Sequence, residues 1–396
     1  MGNLPLENVK VVDFSTVLAA PVSATFLADF GADVIKVELP EPGNENQDKA
    51  QEERPPIWLV ENRNKKCITL DLHMEKGQQL AHRLVEKADV AVLNFRPGKA
   101  EEWNIGPKDL HRTNPELIIL LVSAYGQTGP YRKRAGFDRT AQTFAGTTYV
   151  TGHPDQPPVR SGFALVDYMT AYMSAFGVMT ALYNRDVNQS GGEVVDATLI
   201  EAAFRATESS ITYYSMTGMI RERMGNRNPG VVPASNFETK DGRDLVMNAN
   251  TPRMWHNLTH AMGMPELLDD PRFAKPEDKI NNQNELYEII GKWVKGLTAD
   301  EAMEILEEAG VPSDYMRNVA DLAEDPHMAA REAIMDFDHP TQGKIKIPGV
   351  FPKFSNNPGR VAYLGRTLGA DNEEIYGGRL GMSADEIAKL KDNGVI

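Results

Sequence analysis

The sequence has little cysteine and no long apolar run, and both absences limit what the chain can be. Cys67 is the single cysteine among 396 residues, which excludes an intrachain disulfide framework and a cysteine-cluster metal site. No apolar stretch reaches the ~18 residues that a membrane span needs, and residues 1–8 show no charged-then-apolar leader. We therefore expect a reduced, cytoplasmic protein that does not contact a membrane.

Positive charge is also scarce. The chain has 42 Lys and Arg against 56 Asp and Glu, a formal net charge of −14. Because nucleic-acid affinity is built mostly from clustered cations, no nucleic-acid partner is expected. Any anionic ligand must be met by a local basic patch. The 41% hydrophobic and 25% charged content is ordinary for a folded enzyme, and the length fits two domains.

Several motifs typical of cofactor-binding or catalytic sites are missing from the sequence. No GxGxxG follows the first strand pattern, so NAD is not expected. The histidines are scattered without HExxH spacing, which gives no reason to expect a metal, and no GxSxG occurs. Cys67 lies in an apolar, strand-like context typical of a core cysteine.

The first third of the sequence alternates apolar strand patterns with amphipathic helix patterns. This rhythm predicts an α/β fold with a parallel sheet flanked by helices. The predicted strands are Lys10–Phe14, Asp33–Val37, Cys67–Leu72, Val90–Leu93 and Leu117–Val122. The predicted helices between them are Val22–Phe30, Glu75–Lys87 and Pro107–Arg112.

Later segments are mostly helical. Asp167–Tyr183 has no charge after its first residue, so we expect a helix that is buried on nearly all sides. Leu199–Met216 is also predicted to be a helix. The Asn-, Pro- and Gly-rich stretch Asn226–Pro233 predicts a domain boundary. Beyond it, strand patterns and the helical stretches Gln283–Lys295 and Ala299–Glu308 predict a small α+β region.

Asp167 is the first candidate for chemistry. A carboxylate at the amino end of an otherwise uncharged, buried helix is unusual, because an unpaired buried charge is costly. The alternative is that Asp167 caps the helix, a position that Asp favours. From the pattern alone, both interpretations remain open.

Two further stretches suggest contacts with an anion. Asn94-Phe95-Arg96-Pro97-Gly98 directly follows a predicted strand, where open α/β sheets place ligands. Arg96 offers a forked donor for phosphate, and Gly98 would allow close backbone approach. Arg132-Lys133-Arg134 is the densest basic run. Ordinary solvated loops would explain both stretches equally well.

Ordered motifs along the whole chain resemble one known family. They are VVDFSTVLAAPVSATFLADFGADVIKVE at 11–38, NRNKKCITLDL at 62–72, NFRPG at 94–98, SAYGQTGP at 123–130, RAGFDRTAQTFAG at 134–146, DGRDLVMNAN at 241–250, EDPHMAARE at 324–332 and NNPGRVAYLG at 356–365. Together these stretches resemble the class III (family III) CoA-transferases, the CaiB/BaiF family of the carnitine, bile-acid and formyl-CoA transferase type.

The resemblance implies a fold and an assembly. The large domain would be Rossmann-like and formed by both chain ends, with a small α+β domain between them, and two protomers would interlink as a homodimer. On this basis we assign residues 1–227 to the first part of the large, CoA-binding domain, 228–323 to the small domain and 324–396 to the return segment that completes the large domain.

The resemblance also implies a reaction between an acyl-CoA and a small carboxylic acid, without a cofactor. The family's catalytic aspartate falls on Asp167, which favours a nucleophile over a simple cap. It would form a mixed anhydride with the acyl group and then an aspartyl-CoA thioester. The family's CoA contacts map onto Leu70, His73, Asn94, Phe95, Arg96, Arg134, Gly136 and Phe137.

This sequence departs from the family at several positions. Glu102 stands where the family has an arginine, and His73 lies where it has a basic residue, so the phosphate anchors are expected to shift toward Arg132–Arg134. Residues 246–252 lack the glycine-rich loop of the formyl-CoA branch. The acids exchanged stay open, with succinyl-CoA as the family-level expectation for the donor.

Two rival functions share these motifs. An α-methylacyl-CoA racemase of the same fold needs a base and an acid beside the α-carbon, but its histidine falls on Phe137, which cannot carry a proton. A non-catalytic CoA-binding paralogue is the other alternative, and the intact Asp167 argues against it.

Overall fold

Apolar runs along the first half of the chain form a six-stranded sheet in the computed structural model, which describes residues 4–40, 54–228, 230–340 and 342–396. The strands are β1 Lys10–Asp13, β2 Asp33–Glu38, β3 Lys65–Thr69, β4 Val90–Leu93, β5 Ile118–Ser123 and β6 Glu193–Thr198. They lie in the order β3-β2-β1-β4-β5-β6, and every neighbouring pair is parallel. The order reverses between β1 and β4, and open α/β sheets bind ligands at such a switch point. The predicted parallel α/β architecture is confirmed.

Helices cover both faces of this sheet. Successive strand residues point to opposite faces, so Val12 and Ala91 enter one core while Val11 and Val90 enter the other. The helices in this part of the chain are α1 Ala19–Asp29, α2 Pro56–Glu61, α3 Glu75–Val85, α4 Lys99–Glu102, α5 Pro107–Thr113, α6 Asp138–Phe144, α7 Leu165–Asn188, α8 Leu199–Arg205 and α9 Ser210–Thr217. Leucines of α3 pack in the first core, and α1 and α7 pack in the second.

The described chain divides into two compact units. The first contains the residues up to Thr147, Arg160–Met216 and Pro326–Ile396, and the second contains Thr148–Val159 and Thr217–Asp325. The second unit has an antiparallel sheet of β7 Ala234–Glu238, β8 Asp244–Asn248 and β9 Ser313–Tyr315. Its helices are α10 Pro252–Ala261, α11 Pro276–Asn281, α12 Gln283–Lys295, α13 Ala299–Glu308 and α14 Val319–Glu324, with a 3₁₀ turn at Pro265–Leu268. The boundaries assigned from the sequence stay a prediction.

The last part of the chain returns to the first unit. It contains α15 Pro326–Ala330, the antiparallel pair β10 Ile334–His339 and β11 Gly343–Pro348, a π-helical turn at Glu373–Arg379 and α16 Ala384–Asp392. Side chains of this segment satisfy the open edge of β3. Asp371 Oδ2 accepts from the Cys67 amide at 2.7 Å, and Asn372 Oδ1 accepts from the Thr69 amide at 2.9 Å. The outer strand therefore does not present its polar groups for pairing with another chain.

Some predicted bounds are wrong. Strand β3 runs from Lys65 to Thr69 instead of Cys67 to Leu72, and its first residue, Lys65, is buried although it is charged. Helix α1 runs from Ala19 to Asp29 and therefore begins three residues before the predicted start at Val22. The predicted helix 199–216 is two helices, since Glu208 adopts φ 57°. No helix in the described residues is long and apolar enough to cross a membrane.

A buried cluster of charges joins the first three strands. Asp13 Oδ2 accepts from Lys65 Nζ at 3.0 Å, and Lys36 Nζ lies 3.5 Å from Asp13 Oδ1. All three side chains are at most 3% exposed. Burial works to raise the pKa of Asp13, but the charges of Lys36 and Lys65 and a hydrogen bond from Ser15 outweigh it and lower this pKa. The cluster leaves each buried charge with a partner.

Replacement of Asp13 by Asn should strongly destabilise the protein. Two buried ammonium groups would lose their counter-charge, and breaking such a pair from one side costs about 3–5 kcal/mol. Urea unfolding followed by circular dichroism measures the change. The matched control is Asp336→Asn, which removes exposed pairs with Lys344 and Lys346 and should cost under about 1 kcal/mol. Equal losses in the two variants would contradict the prediction.

Candidate active site

Loops that follow three neighbouring strands enclose a cavity of about 240 Å³ at the switch point of the sheet. Residues 16–19 follow β1, residues 94–97 follow β4, and Ser123 and Ala124 end β5 and begin the next loop. The carboxyl ends of parallel strands meet at one edge, which is where a doubly wound sheet places its ligand. Helix α7 adds Asp167 to this wall.

The Asn94 side chain ties two of these loops together. Its Oδ1 accepts from the Thr16 amide at 2.9 Å, and its Nδ2 donates to the Thr16 carbonyl at 2.6 Å. Both polar atoms of the amide are therefore committed to the main chain of the neighbouring loop. Asn94 was predicted from the sequence to contact a ligand, and the structure gives it a role in shaping the cavity wall.

Helix α7 begins at Leu165, which makes Asp167 its third residue. The capping alternative is wrong, because the residue at the cap position is Ala164 and no side chain of α7 caps its own helix. The cap comes instead from Asp138, the first residue of α6. Asp138 Oδ2 accepts from the amides of Val166 at 2.7 Å and Asp167 at 3.2 Å.

Two effects act on the Asp167 carboxyl. Burial disfavours its charged form, and the negative charge of Asp138 adds to this, so that the pKa of Asp167 is raised to about 6. The carboxyl nevertheless lines an open cavity and is only partly buried. A carboxylate that is more basic than usual and reachable from a cavity is suited to nucleophilic chemistry.

Helix α7 was predicted to be buried on nearly all sides, and this is wrong. Val166, Ala171, Val178 and Leu182 pack into the core, while the opposite stripe is exposed. The exposed large side chains on this stripe are Tyr172, Met173, Phe176, Met179 and Tyr183, from 37% to 67% accessible. Helix α7 is apolar on both sides, but the rest of this chain covers only one of them.

Cations and an aromatic side chain border the same cavity. Arg96, Arg132 and Arg134 line it and are exposed, and the Arg134 guanidinium lies 3.6 Å from the centre of the Tyr131 ring. Phe137 is 65% exposed and also lines the cavity. Gly136 has a steric reason to be glycine, because a Cβ there would lie 2.6 Å from Ala124 Cβ.

The remaining predicted contacts, Leu70 and His73, line a second cavity of about 390 Å³. The two cavities share Thr16, Val17 and Phe95 as walls. His73 Nδ1 lies 2.7 Å from Asp71 Oδ1, and its ring makes an edge contact with Trp103 at 4.7 Å between centroids. All nine candidate residues thus lie on two adjoining cavities, and their roles remain predictions.

The structure adds detail for two residues in and after the NFRPG motif. Gly98 adopts φ 95°, a left-handed conformation before α4 that favours glycine, and the predicted close approach to a ligand stays a prediction. Glu102, which departs from the family pattern, forms an ion pair with Lys99 on the same helix. Lys99 thereby supplies a cation beside the position where the family has its arginine.

Asp138 and Gln142 were not predicted from the sequence. Gln142 Nε2 donates to Asp138 Oδ1 at 2.6 Å and to Ser161 Oγ at 2.9 Å, which links α6 to the segment before α7. The two residues are four apart within α6 and face the same side, but no short pattern signals a cap given to a distant helix. The expectation for Cys67 is confirmed, since it is buried and burial raises its pKa to about 12.

Comparisons with known proteins agree with this geometry. The model of "CoA-transferase family III" matches residues 6–372. The succinyl-CoA–D-citramalate CoA-transferase of Chloroflexus aurantiacus is 41% identical over 396 residues, covering 99% of this chain and 98% of the relative. Human succinyl-CoA:glutarate CoA-transferase is 29% identical, covering 100% and 91%. A crystal structure of a CAIB/BAIF family protein from Brucella suis has a TM-score of 0.83 and 29% identity, covering 95% and 100%. The chain belongs to CoA-transferase family III.

Proposed function

We propose that Asp167 is the covalent nucleophile of this enzyme, which moves coenzyme A from an acyl-CoA to a carboxylic acid. One observation carries the proposal. Asp167 is the one carboxylate among the described residues that line the cavity at the switch point of the sheet, and its pKa is raised to about 6. At neutral pH such a group is ionised yet more basic than an ordinary aspartate.

The proposed reaction proceeds by two exchanges. Asp167 attacks the thioester carbonyl, forms an acyl-aspartyl anhydride and expels the CoA thiolate, which then attacks the aspartyl carbonyl and releases the donor acid. The acceptor carboxylate next opens the aspartyl-CoA thioester to give a second anhydride. The retained thiolate attacks its acyl carbonyl, forms the product acyl-CoA and returns Asp167 to the carboxylate. These exchanges balance without a cofactor, so the cavity mainly has to exclude water.

For coenzyme A we propose the two adjoining cavities. Arg96 and Arg134 would meet the phosphates, as guanidinium groups suit phosphate geometry. Leu70 and Phe95 would give apolar contact, and His73 lies beside them with Asp71 as a partner. Asn94, Gly136 and Phe137 would form the wall that leads toward Asp167.

For the substrates we propose succinyl-CoA as donor and a small dicarboxylic acid as acceptor. The support comes from the relatives, whose names give succinyl-CoA with D-citramalate, L-malate or glutarate. They span nearly the whole of this chain, at 29% to 41% identity.

Incubation with succinyl-CoA should place a hydroxylamine-sensitive modification on Asp167. Mass spectrometry of the peptide that contains the first turn of α7 locates it, and addition of citramalate or malate should discharge it, whereas acetate should not. Asp167→Ala should lower kcat by roughly 10³-fold or more, because the covalent route is lost. Asp186→Ala, at the exposed end of the same helix, is the matched control and should keep full activity. A modification at another residue would refute the nucleophile, and discharge by acetate alone would refute the acceptor class.

The rate of CoA transfer should fall at low pH. The reactive form of Asp167 is the carboxylate, and with a pKa of about 6 its ionised fraction is full above neutrality and falls as the pH drops through 6. Below that value kcat/KM should decline about tenfold per pH unit. The measurement is kcat/KM for succinyl-CoA between pH 4.5 and 8 at a fixed salt concentration. A rate that stays flat down to pH 4.5 would show that the aspartate has an ordinary pKa.

We also propose that the protein is an interlinked homodimer. Support comes from the exposed apolar stripe of α7, since monomers rarely expose contiguous apolar patches of this kind, and α9 also exposes Ile211, Tyr214 and Met216. A second copy would bury these side chains.

Phe176→Glu should therefore weaken the dimer. The side chain is 67% exposed within one chain, and a charge there would be buried without a partner in the proposed interface. Light scattering behind size-exclusion chromatography should give a dimer mass for the wild type and a mass shifted toward the monomer for the variant. Gln79→Glu places the same charge on a polar face of α3 and should stay dimeric. An unchanged mass for Phe176→Glu would exclude this stripe from the interface.

A further inference from the structure

We infer that Asp138 is a positioning residue that fixes the first turn of α7 and, by its charge, sets the pH range in which Asp167 reacts. This inference rests on the proposed role of Asp167 and deepens it. Asp138 lies on α6, is 9% exposed, and reaches the amides of Val166 and Asp167 with one carboxylate oxygen. Its other oxygen accepts from Gln142 Nε2.

Each main-chain amide in the first turn of α7, residues 165–168, already donates to an acceptor. The Leu165 amide donates to the Phe163 carbonyl at 2.9 Å, and Asp138 takes the next two amides. The Tyr168 amide bonds to the Ala164 carbonyl at 3.3 Å. A helix amino end normally favours a nearby anion through such free amides. Here they serve Asp138, so they cannot stabilise the ionised carboxyl of Asp167.

Hydrogen bonds from neighbouring side chains fix the position of the Asp138 carboxylate. Gln142 bonds to Asp138 with its Nε2 and also accepts from the Ser161 amide at 3.3 Å. Ser161 Oγ in turn donates to the Phe163 carbonyl at 2.8 Å. The chain of hydrogen bonds closes on the residues that immediately precede α7. The position of Asp167 is thereby tied to α6 through side chains.

Other charges near α7 do not duplicate this effect. The elements packed on α7 are α1, α6, α8, β5 and β6, and their charged side chains other than Asp138 are Asp29, Arg139, Glu193, Asp196, Glu201 and Arg205. Asp29 is paired with Arg63, Asp196 bonds to the Gln127 amide, and Glu201 accepts from Thr198 Oγ1. Arg96, Arg132 and Arg134 line the cavity that Asp167 faces, and Glu61 on α2 bonds to the Tyr168 hydroxyl. After burial, Asp138 is the group whose charge raises the pKa of Asp167.

The test separates charge from the capping bond. Asp138→Asn keeps an acceptor oxygen but removes the charge, so the acid midpoint of kcat/KM should move to lower pH by on the order of half a unit. Asp138→Glu keeps the charge but changes its reach, so the midpoint should stay while amide deuterium exchange at the first turn of α7 becomes faster. Asp138→Glu should also lower kcat/KM at pH 7.5 roughly 10-fold through misplacement of Asp167, whereas Asp138→Asn, which keeps the acceptor oxygen, should lower it less. Asp138→Ser, with another common cap residue, replaces the Asn variant if that variant fails to fold.

Asp89→Asn is the matched control. Asp89 also accepts a main-chain amide, that of Lys10 at 2.8 Å, and pairs with Arg185, but it lies at the amino end of β4. Its replacement should leave the acid midpoint unchanged, even if stability falls.

Trapping of the wild-type adduct is the first measurement. If Asp167 carries no adduct, its proposed role fails and this inference fails with it. If the adduct forms but Asp138→Asn keeps the wild-type midpoint, only the inference is overturned.

Discussion

A buried carboxylate at the end of the first strand governs the architecture around the cavity. Asp13 holds Lys36 of β2 and Lys65 of β3, and it accepts from the Ser15 amide at 3.0 Å. Because each of these groups would be costly to bury alone, their pairing holds β1, β2, β3 and the loop after β1 together. That loop continues into Thr16, which Asn94 fixes from the loop after β4. The walls of the cavity are thus set by charge pairing beneath them.

Two aspartates of this unit show how surroundings decide what a carboxyl does. Asp13 is wholly buried, yet two ammonium groups and a serine lower its pKa, so it stays ionised and structural. Asp167 is less buried but has no cationic partner among the residues that the structure describes, and the neighbouring carboxylate of Asp138 adds to burial in raising its pKa. A carboxyl held by cations is a poor nucleophile, since its electrons are already engaged. The absence of a counter-ion at Asp167 is therefore as informative as its position on the cavity.

The sequence predicted much of the first unit because apolar runs there coincide with strands. Val90–Leu93 was placed without error, and the residues after it proved to line the cavity. Lys65 was left outside its strand because a charged residue does not signal burial, and only its pairing with Asp13 explains it. Asp138 was missed because its partner amides lie 28 and 29 residues away. The exposed stripe of α7 was misjudged because apolar composition along a helix does not indicate which of its faces the rest of the chain covers.

The charges around the cavity are divided between binding and reaction. An acidic chain that binds an anionic substrate needs local cations, and we propose that Arg96, Arg132 and Arg134, which line the cavity, supply them. An arginine in contact with Asp167 would also attract the substrate, but it would lower the pKa of the carboxyl and make it a weaker base. The shift at Asp167 comes from burial and Asp138, so the arginines leave its basicity intact. In the proposed function, one cavity holds a polyanion and keeps a reactive carboxylate, because the arginines lie on loops while Asp167 lies on helix α7.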